Sequence, residues 1–411
     1  MKNLIYVTRD LERALGLPLD TPGYFVVTNA SPFARRMAHG QKNILLVEAE
    51  QILDTIELLK KLENLNDWLE SKSDFEILVF KNTPQIETLC QKNNWPLINP
   101  SAELGNKIEE KISQFAWLTS AGLTDYLPNQ SIQTLKNLNW TGENFILQFN
   151  RAHTGSGTIL ISNKDQLDKL QLDFPEREAR VSEFIIGPAF TSNNIVDREK
   201  TLVGNLNYQI TGLLPFTNQP FATIGNDWST TKKILSADAI EAYQKIVQKI
   251  GDVLGQIGWR GIFGTDMIWN QTKKRWYLIE INARQTAGTA YESILMYEIR
   301  KLRNNTKKSL TIFEAHISAL RGENLADAEL IKISDGAQVV LRIQDDRQTT
   351  KNKEQLLIEK LEKDNLTVIP YENTKPGADY LRIQSLNGLL NNHNEWNEIG
   401  KKICSILTPA N

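Results

Sequence analysis

The segment FGTDMIWNQTKKRWYLIEINARQTAGTAY, residues 263–291, decides how the rest of the chain is read. It alternates as a β-hairpin whose second strand ends in Glu280, Asn282 and Arg284. Successive strand residues point to opposite faces, so these three side chains project together. Ile279 and Ile281 then turn the other way, toward a core. On the first strand Asp266 stands among Phe263, Met267, Ile268 and Trp269. For Asp266 to face Glu280, paired residue numbers must sum to 546, which predicts a loop of three or five residues (272–274 or 271–275). An even loop without a bulge would set Asp266 opposite Ile279, on the wrong face. Two acids and an amide oxygen converging from paired strands suit Mg²⁺, which takes few protein oxygens and keeps phosphate oxygens in its shell. Arg284 adds a planar cation for phosphate or carboxylate. An ordinary amphipathic hairpin fits less well, because polar residues close an otherwise apolar strand.

Composition sets the frame. The 411 residues are 41% hydrophobic and 23% charged, which makes the chain globular and long enough for two or three domains. Its 47 basic and 49 acidic residues leave a net charge of −2, with no excess to draw nucleic acid or an anionic membrane. Cys90 and Cys404 frame no disulfide network, and no Cys/His cluster has zinc spacing. The opening MKNLIYVTRDLERALG lacks an apolar signal core and a small-residue cleavage site. No run approaches the roughly 18 apolar residues of a membrane span. The expectation is a cytoplasmic soluble protein.

Upstream of the hairpin, YFVVTN (24–29), NILLVE (43–48) and FEILVF (75–80) read as strands. Segments 50–72 and 84–94 carry helical spacing, the first with Ile52, Ile56, Leu59 and Leu62 on one stripe. Such alternation implies a mostly parallel sheet with helices on its faces. No Gly-x-Gly-x-x-Gly follows the first strand, which disfavours a nicotinamide site. The polar stretch TNASPFARR (28–36) follows a strand, where a ligand contact and a plain surface connection are equally good readings. In LINPSAELGNKIEEKISQFAWLTSAGL (97–123), Ser101 caps one helix and a second ends at Gly122. NFILQFNRAHTGSGTILIS (144–162) sets two strands around Gly155, Ser156 and Gly157. Glycines let successive N–H groups turn toward an anion, although a plain hairpin turn has the same composition. REARVSEFIIGPAF (177–190) is a strand turning at Gly187-Pro188, and 236–257 is a helix striped with Ala239, Tyr243, Ile246, Val247, Ile250 and Leu254.

Asp266 followed by Glu280-x-Asn282, with these features upstream in this order, resembles the ATP-grasp superfamily. The resemblance spans nearly the whole chain and is densest over 107–292. It implies that Asp266, Glu280 and Asn282 hold Mg²⁺, with Mn²⁺ as a substitute. It implies a phosphate-binding lysine at Lys111, eleven residues before Gly122, rather than at Lys107. Gly155, Ser156 and Gly157 become a loop that closes over ATP. Gln148 occupies a position where the family usually carries a lysine, with Arg151 and His153 as nearby compensating groups. Ser182, Glu183, Phe184 and Ile185 become the hinge beside adenine, with Ile185 offering its main-chain amide and Ile186 beside it. Ser182 and Ala189 stand where the family often has acids. Glu280 and Arg284 are the residues assigned to catalysis, and Arg260 is a weaker candidate for phosphate or substrate.

SLTIFEAHISALRGENL (309–325) and GAQVVLRIQDD (336–346), with Arg342, resemble the carboxy-terminal region of biotin carboxylase-like members. The fold class implied is α/β and α+β in three parts: an N-terminal α/β domain over 1–105, an ATP-grasp domain over 106–305, and a C-terminal α+β region over 306–411. The central domain divides into a glycine-loop subdomain (106–180) and a hinge and metal subdomain (181–305). The implied reaction activates a small-molecule carboxylate as an acyl phosphate with ATP and joins it to an amine. No nucleic acid or membrane partner is implied, and a homodimer is compatible. Biotin-carboxylase-like carboxylation and non-catalytic ATP binding are the alternatives.

Overall fold

The apolar runs of the first hundred residues do form a parallel sheet, but its central strands include one that the sequence pattern does not reveal. A computed structural model describes residues 2–150, 158–303, 308–344 and 351–408. In it the N-terminal strands run in the order Ile44–Val47, Tyr24–Asn29, Asn3–Val7, Phe75–Val79, all parallel. Asn3–Val7 carries no alternation because Leu4, Ile5, Tyr6 and Val7 are all buried. Strands covered on both faces read as continuous apolar runs. The helical stretch 50–72 is in fact two helices, Thr55–Leu62 and Asn66–Glu70. A capping box at Asp54 and Glu57 starts the first one, so Ile52 lies before it.

A second, antiparallel sheet runs Gln130–Thr134, Glu178–Glu183, Phe145–Gln148, Thr158–Ile161. Leu147, Ile161 and Ala179 on one face pack with Leu167 of the helix Lys164–Asp173. Alternation puts Gln148, Arg180 and Ser182 on the other face.

The third sheet has nine strands and starts at the hairpin. It runs from Arg275–Asn282 through Gly261–Asn270, Ala189–Val196, Asn207–Thr211 and Thr223–Asp227 to Ala337–Arg342, Asp379–Ser385 and Thr367–Pro370, and the short strand Thr201–Leu202 pairs with Ala189–Val196 off this path. Strands of the last hundred residues therefore extend the sheet that begins with the hairpin. The helix Ala237–Gln256 covers it, capped by Ser236. All six residues of its apolar stripe are buried, and the Trp276 indole N–H donates to the Ala239 carbonyl at 2.8 Å. The N-terminal domain is tied to the far end of the same sheet by Glu12, whose carboxylate lies 3.3 Å from Arg382 and accepts from the Tyr371 hydroxyl at 2.7 Å. Both charges are buried, and mutual pairing offsets the cost of removing them from water. Among the described residues no helix is long and apolar enough to cross a membrane.

Candidate functional site

The hairpin pairs Asp266 with Glu280, but by a different route from the one the loop arithmetic predicts. Pairing closes at Asn270 and Arg275, so the loop is the four residues 271–274, with Lys274 at positive φ. From there the register runs Trp269 to Trp276, Ile268 to Tyr277 and Met267 to Leu278. It then shifts by one, and Asp266 faces Glu280. The extra residue is Ile279. A β-bulge inserts one residue into one strand and re-aims the side chains beyond it. Here it turns an even loop, which alone would have set Asp266 against Ile279, into the facing acid pair. The expectation that Ile279 points into the core is corrected accordingly: Trp276, Leu278 and Ile281 fill the core, and Ile279 is half-buried outside it.

Around this pair the polar groups are closely tied. The Asn282 amide nitrogen donates to Asp266 Oδ2 at 3.1 Å, and Arg284 donates to Asn282 Oδ1 at 2.9 Å. Arg284 also pairs with Glu109 at 3.0 Å, and Glu109 pairs in turn with Lys81. Lys111, the first residue of the helix Lys111–Ser120, forms an ion pair with Glu280. Glu280 keeps 30% of its side-chain surface exposed, so the pair opens onto the cleft rather than lying sealed in the core. Lys107, a turn earlier, is exposed. Gln114 fixes the lysine helix to the hairpin by donating to the carbonyls of Ile108 at 2.7 Å and Ile281 at 3.1 Å.

The two acids have opposite proton affinities. Burial, and then the charge of Glu280, push the Asp266 carboxyl up to about 6, against weaker opposing bonds from Thr191 and Asn282. Burial would raise Glu280 as well, but Lys111, followed by Arg284 and Arg180, outweighs it and holds that carboxyl below its ordinary range. The local cations thus serve one acid and leave the other short of positive charge.

Across the cleft, Gln148 and Arg180 are cross-strand partners and both are buried. Arg180 donates to Gln148 Oε1 at 3.0 Å and to the carbonyl of the bulged Ile279 at 3.0 Å, bridging the second sheet to the hairpin. Burial lowers its pKa to about 10, with Glu280 acting the other way, and it stays charged at neutral pH. Ser182 lies on the same face, two residues further along the strand. Glu183 does not: alternation turns it away, and it accepts from Asn129 at 3.4 Å among exposed groups. Phe184 and Ile185 follow the strand's end at Glu183, with Phe184 edge-on to Phe221 and Ile185 buried. Arg260 is bound to the carbonyls of Gly255 and Trp259, which ties it to the end of the long helix instead of the cleft. Arg342 donates to the carbonyls of Thr223 and Gly377 within its own sheet region. Gly155, Ser156 and Gly157, with Arg151 and His153, lie outside the described residues.

Sequence reasoning missed Arg180 and Glu109. The signal for Arg180 was present: Arg180 and Ser182 alternate with Ala179 and Val181, so both polar residues share one face. Glu109 carries no such mark, because its partners Lys81 and Arg284 come from distant segments.

The donor set fits magnesium. Among the described residues no group of three or more His, Cys, Asp or Glu could form a metal cage. Two carboxylates and an amide, one acid lacking counter-charge, suit an ion that binds through few protein oxygens and retains others from water and phosphate.

Residues 108–288 match the family model of the ATP-grasp domain. No curated protein matches the chain in sequence. Among solved structures, N5-carboxyaminoimidazole synthase from Aspergillus clavatus, in complex with ADP and 5-aminoimidazole ribonucleotide, is similar over 98% of each chain with a TM-score of 0.65 and 11% identity. N5-carboxyaminoimidazole synthetase from Staphylococcus aureus covers 99% of this chain and 98% of its own, with a TM-score of 0.63 and 14% identity. L-amino acid ligase from Bacillus licheniformis covers 99% and 97%, with a TM-score of 0.62 and 13% identity. At such identities the likeness is one of fold, and it extends over nearly the full length of the chain.

Proposed function

Because the chain carries an ATP-grasp domain over residues 108–288, we propose that it is an ADP-forming ligase that joins a small-molecule carboxylate to an amine. The observation that carries this reading is the facing Asp266–Glu280 pair, with Asn282 bonded to Asp266 and the cations Lys111 and Arg284 beside it. A protein that merely bound a nucleotide would have less need of two facing acids, one of them short of counter-charge. In the proposed reaction a substrate carboxylate oxygen attacks the γ-phosphorus of ATP, the bond to the β–γ bridging oxygen breaks, and ADP leaves. The amine nitrogen then attacks the acyl carbon, phosphate departs, and the amine loses a proton to give the amide.

Asp266, Glu280 and Asn282 would hold Mg²⁺, or Mn²⁺ in its place, which supplies counter-charge to the phosphate oxygens. Lys111 holds phosphate oxygens from the helix start, and Arg284 offers its fork to the carboxylate or the transferred phosphoryl group. Ser182, Phe184 and Ile185 line the adenine end, with recognition through the main chain. The domain limits we adopt are 1–105, 106–305 and 306–411, and we place the protein in the cytoplasm. Support for this chemistry includes neighbours of the same fold, among them a synthase bound to ADP and a ligase of amino acids.

The test is a panel of carboxylates and amines, with bicarbonate as a separate arm, scored for ADP and phosphate release with Mg-ATP. Release that needs both a carboxylate and an amine is expected. Release driven by bicarbonate alone would assign the site to carboxylation, and ATP binding without turnover across the panel would reduce the protein to a nucleotide binder.

A further inference from the structure

Arg382, besides Arg180 the other buried arginine among the described residues, and the half-buried Arg321 each come with their own acid. Arg382 has Glu12 at 3.3 Å, and Arg321 has Glu76 at 2.9 Å. Arg180 is as deeply placed, with 3% of its surface exposed, yet its hydrogen bonds go to neutral oxygens, Gln148 Oε1 and the Ile279 carbonyl. Glu280 is its charged neighbour, but the ion pair of Glu280 is made with Lys111. A buried charge without a counter-ion is costly unless something completes it. The guanidinium lies on the face of the second sheet that meets the hairpin, beside the acid pair. We propose that Arg180 is a receptor for the nucleotide's phosphates, and that Gln148 is the positioning residue that aims it. This rests on the reading of the cleft as an ATP site.

Gln148 is suited to that part. Its amide nitrogen donates to Thr158 Oγ1 at 3.2 Å, which fixes the amide so that its oxygen faces Arg180. A cation at this position would face Arg180 at cross-strand distance and repel it. The neutral residue and the arginine are therefore a matched pair: the strand pairing carries one cation, located on the partner strand. The planar fork also explains the choice of arginine, because it can hold two neutral oxygens while presenting remaining N–H groups to a phosphate.

The experiment uses the full chain and compares wild type, Arg180→Met, Arg180→Lys and the double variant Arg180→Met/Gln148→Lys. Binding of Mg-ADP and of adenosine is measured by calorimetry, with a melting curve for each protein without ligand. Losing a charge-assisted hydrogen bond to phosphate predicts Mg-ADP binding weaker by about 10- to 100-fold in Arg180→Met. Adenosine binding should change less than about threefold, since adenosine carries no phosphate. Adding Gln148→Lys to Arg180→Met should restore most of the Mg-ADP affinity, because it returns one cation to the same pair of strands. If Arg180→Met does not fold, Arg180→Lys carries the comparison, with Mg-ADP again weakened more than adenosine. Mg-ADP affinity unchanged in a folded Arg180→Met, equal loss of both ligands, or no rescue in a double variant that melts like wild type would each overturn the proposal. Each would make Arg180 a bolt between two sheets. A wild-type protein that binds neither Mg-ADP nor adenosine would instead refute the ATP-site reading itself.

Discussion

Replacing Asp266 by asparagine should stabilise the metal-free protein at pH 8 and have little effect at pH 4. The Asp266 carboxyl sits at about 6 instead of its ordinary 3.8, first because of burial and then because of the facing Glu280. A group raised in the folded state costs nothing below the unfolded value, where both states are protonated. Its penalty grows as pH rises and is complete above the folded value. Moving from 3.8 to about 6 is worth at most about 3 kcal/mol, at roughly 1.4 kcal/mol per pH unit. The Asp266 residue is only partly buried and its partner Glu280 is partly exposed, so about 1–3 kcal/mol is the expected range, or about 1–4 °C in melting temperature. Asparagine keeps an oxygen that can accept from the Asn282 amide, so the hydrogen bond at 3.1 Å survives while the charge disappears. The assay is a pair of thermal melts in EDTA for wild type and Asp266→Asn at pH 4 and pH 8, repeated with Mg-ATP. Asp266→Asn should melt higher only at pH 8 and lose the extra stabilisation conferred by Mg-ATP. A variant less stable than wild type at pH 8, or equally stabilised at both values, would refute the claim that Asp266 is short of positive charge.

The same geometry sets two further outcomes. Glu280→Gln should retain nucleotide-dependent stabilisation, since the proposed hinge and phosphate contacts do not depend on it, but lower turnover by at least about 100-fold, because the metal that Glu280 would help hold supplies counter-charge whose benefit grows as charge moves onto the bridging oxygen. Wild-type ADP release in that variant would place the chemistry elsewhere. Lys111→Ala should weaken Mg-ATP binding by about 10-fold or more, whereas Lys107→Ala, altering an exposed residue, should leave it within about twofold; calorimetry on both variants decides, and the reverse ranking would mean that the ion pair of Lys111 with Glu280 is irrelevant to the ligand.

Local pattern determined a good deal of this protein. The stripe of the helix Ala237–Gln256 and the cap at Ser101 are short-range features, and both form where their residues predict. That Glu280 and Asn282 share a face was also legible, because alternation along a strand is a property of the chain itself. Register was not. The bulge at Ile279 is held by long-range bonds, among them one from Arg180, ninety-nine residues away, and loop arithmetic cannot include it. The strand Asn3–Val7 was hidden for a related reason: burial on both faces erases the period-two signal. Which charges meet was decided only by tertiary packing. Lys111 joins Glu280, Glu109 joins both Lys81 and Arg284, and Gln148 faces Arg180, because separate sheets and a helix start converge there. Charge pairing depends on distances of a few ångströms between segments far apart in sequence, and the sequence carries residue types and local spacing but not those distances.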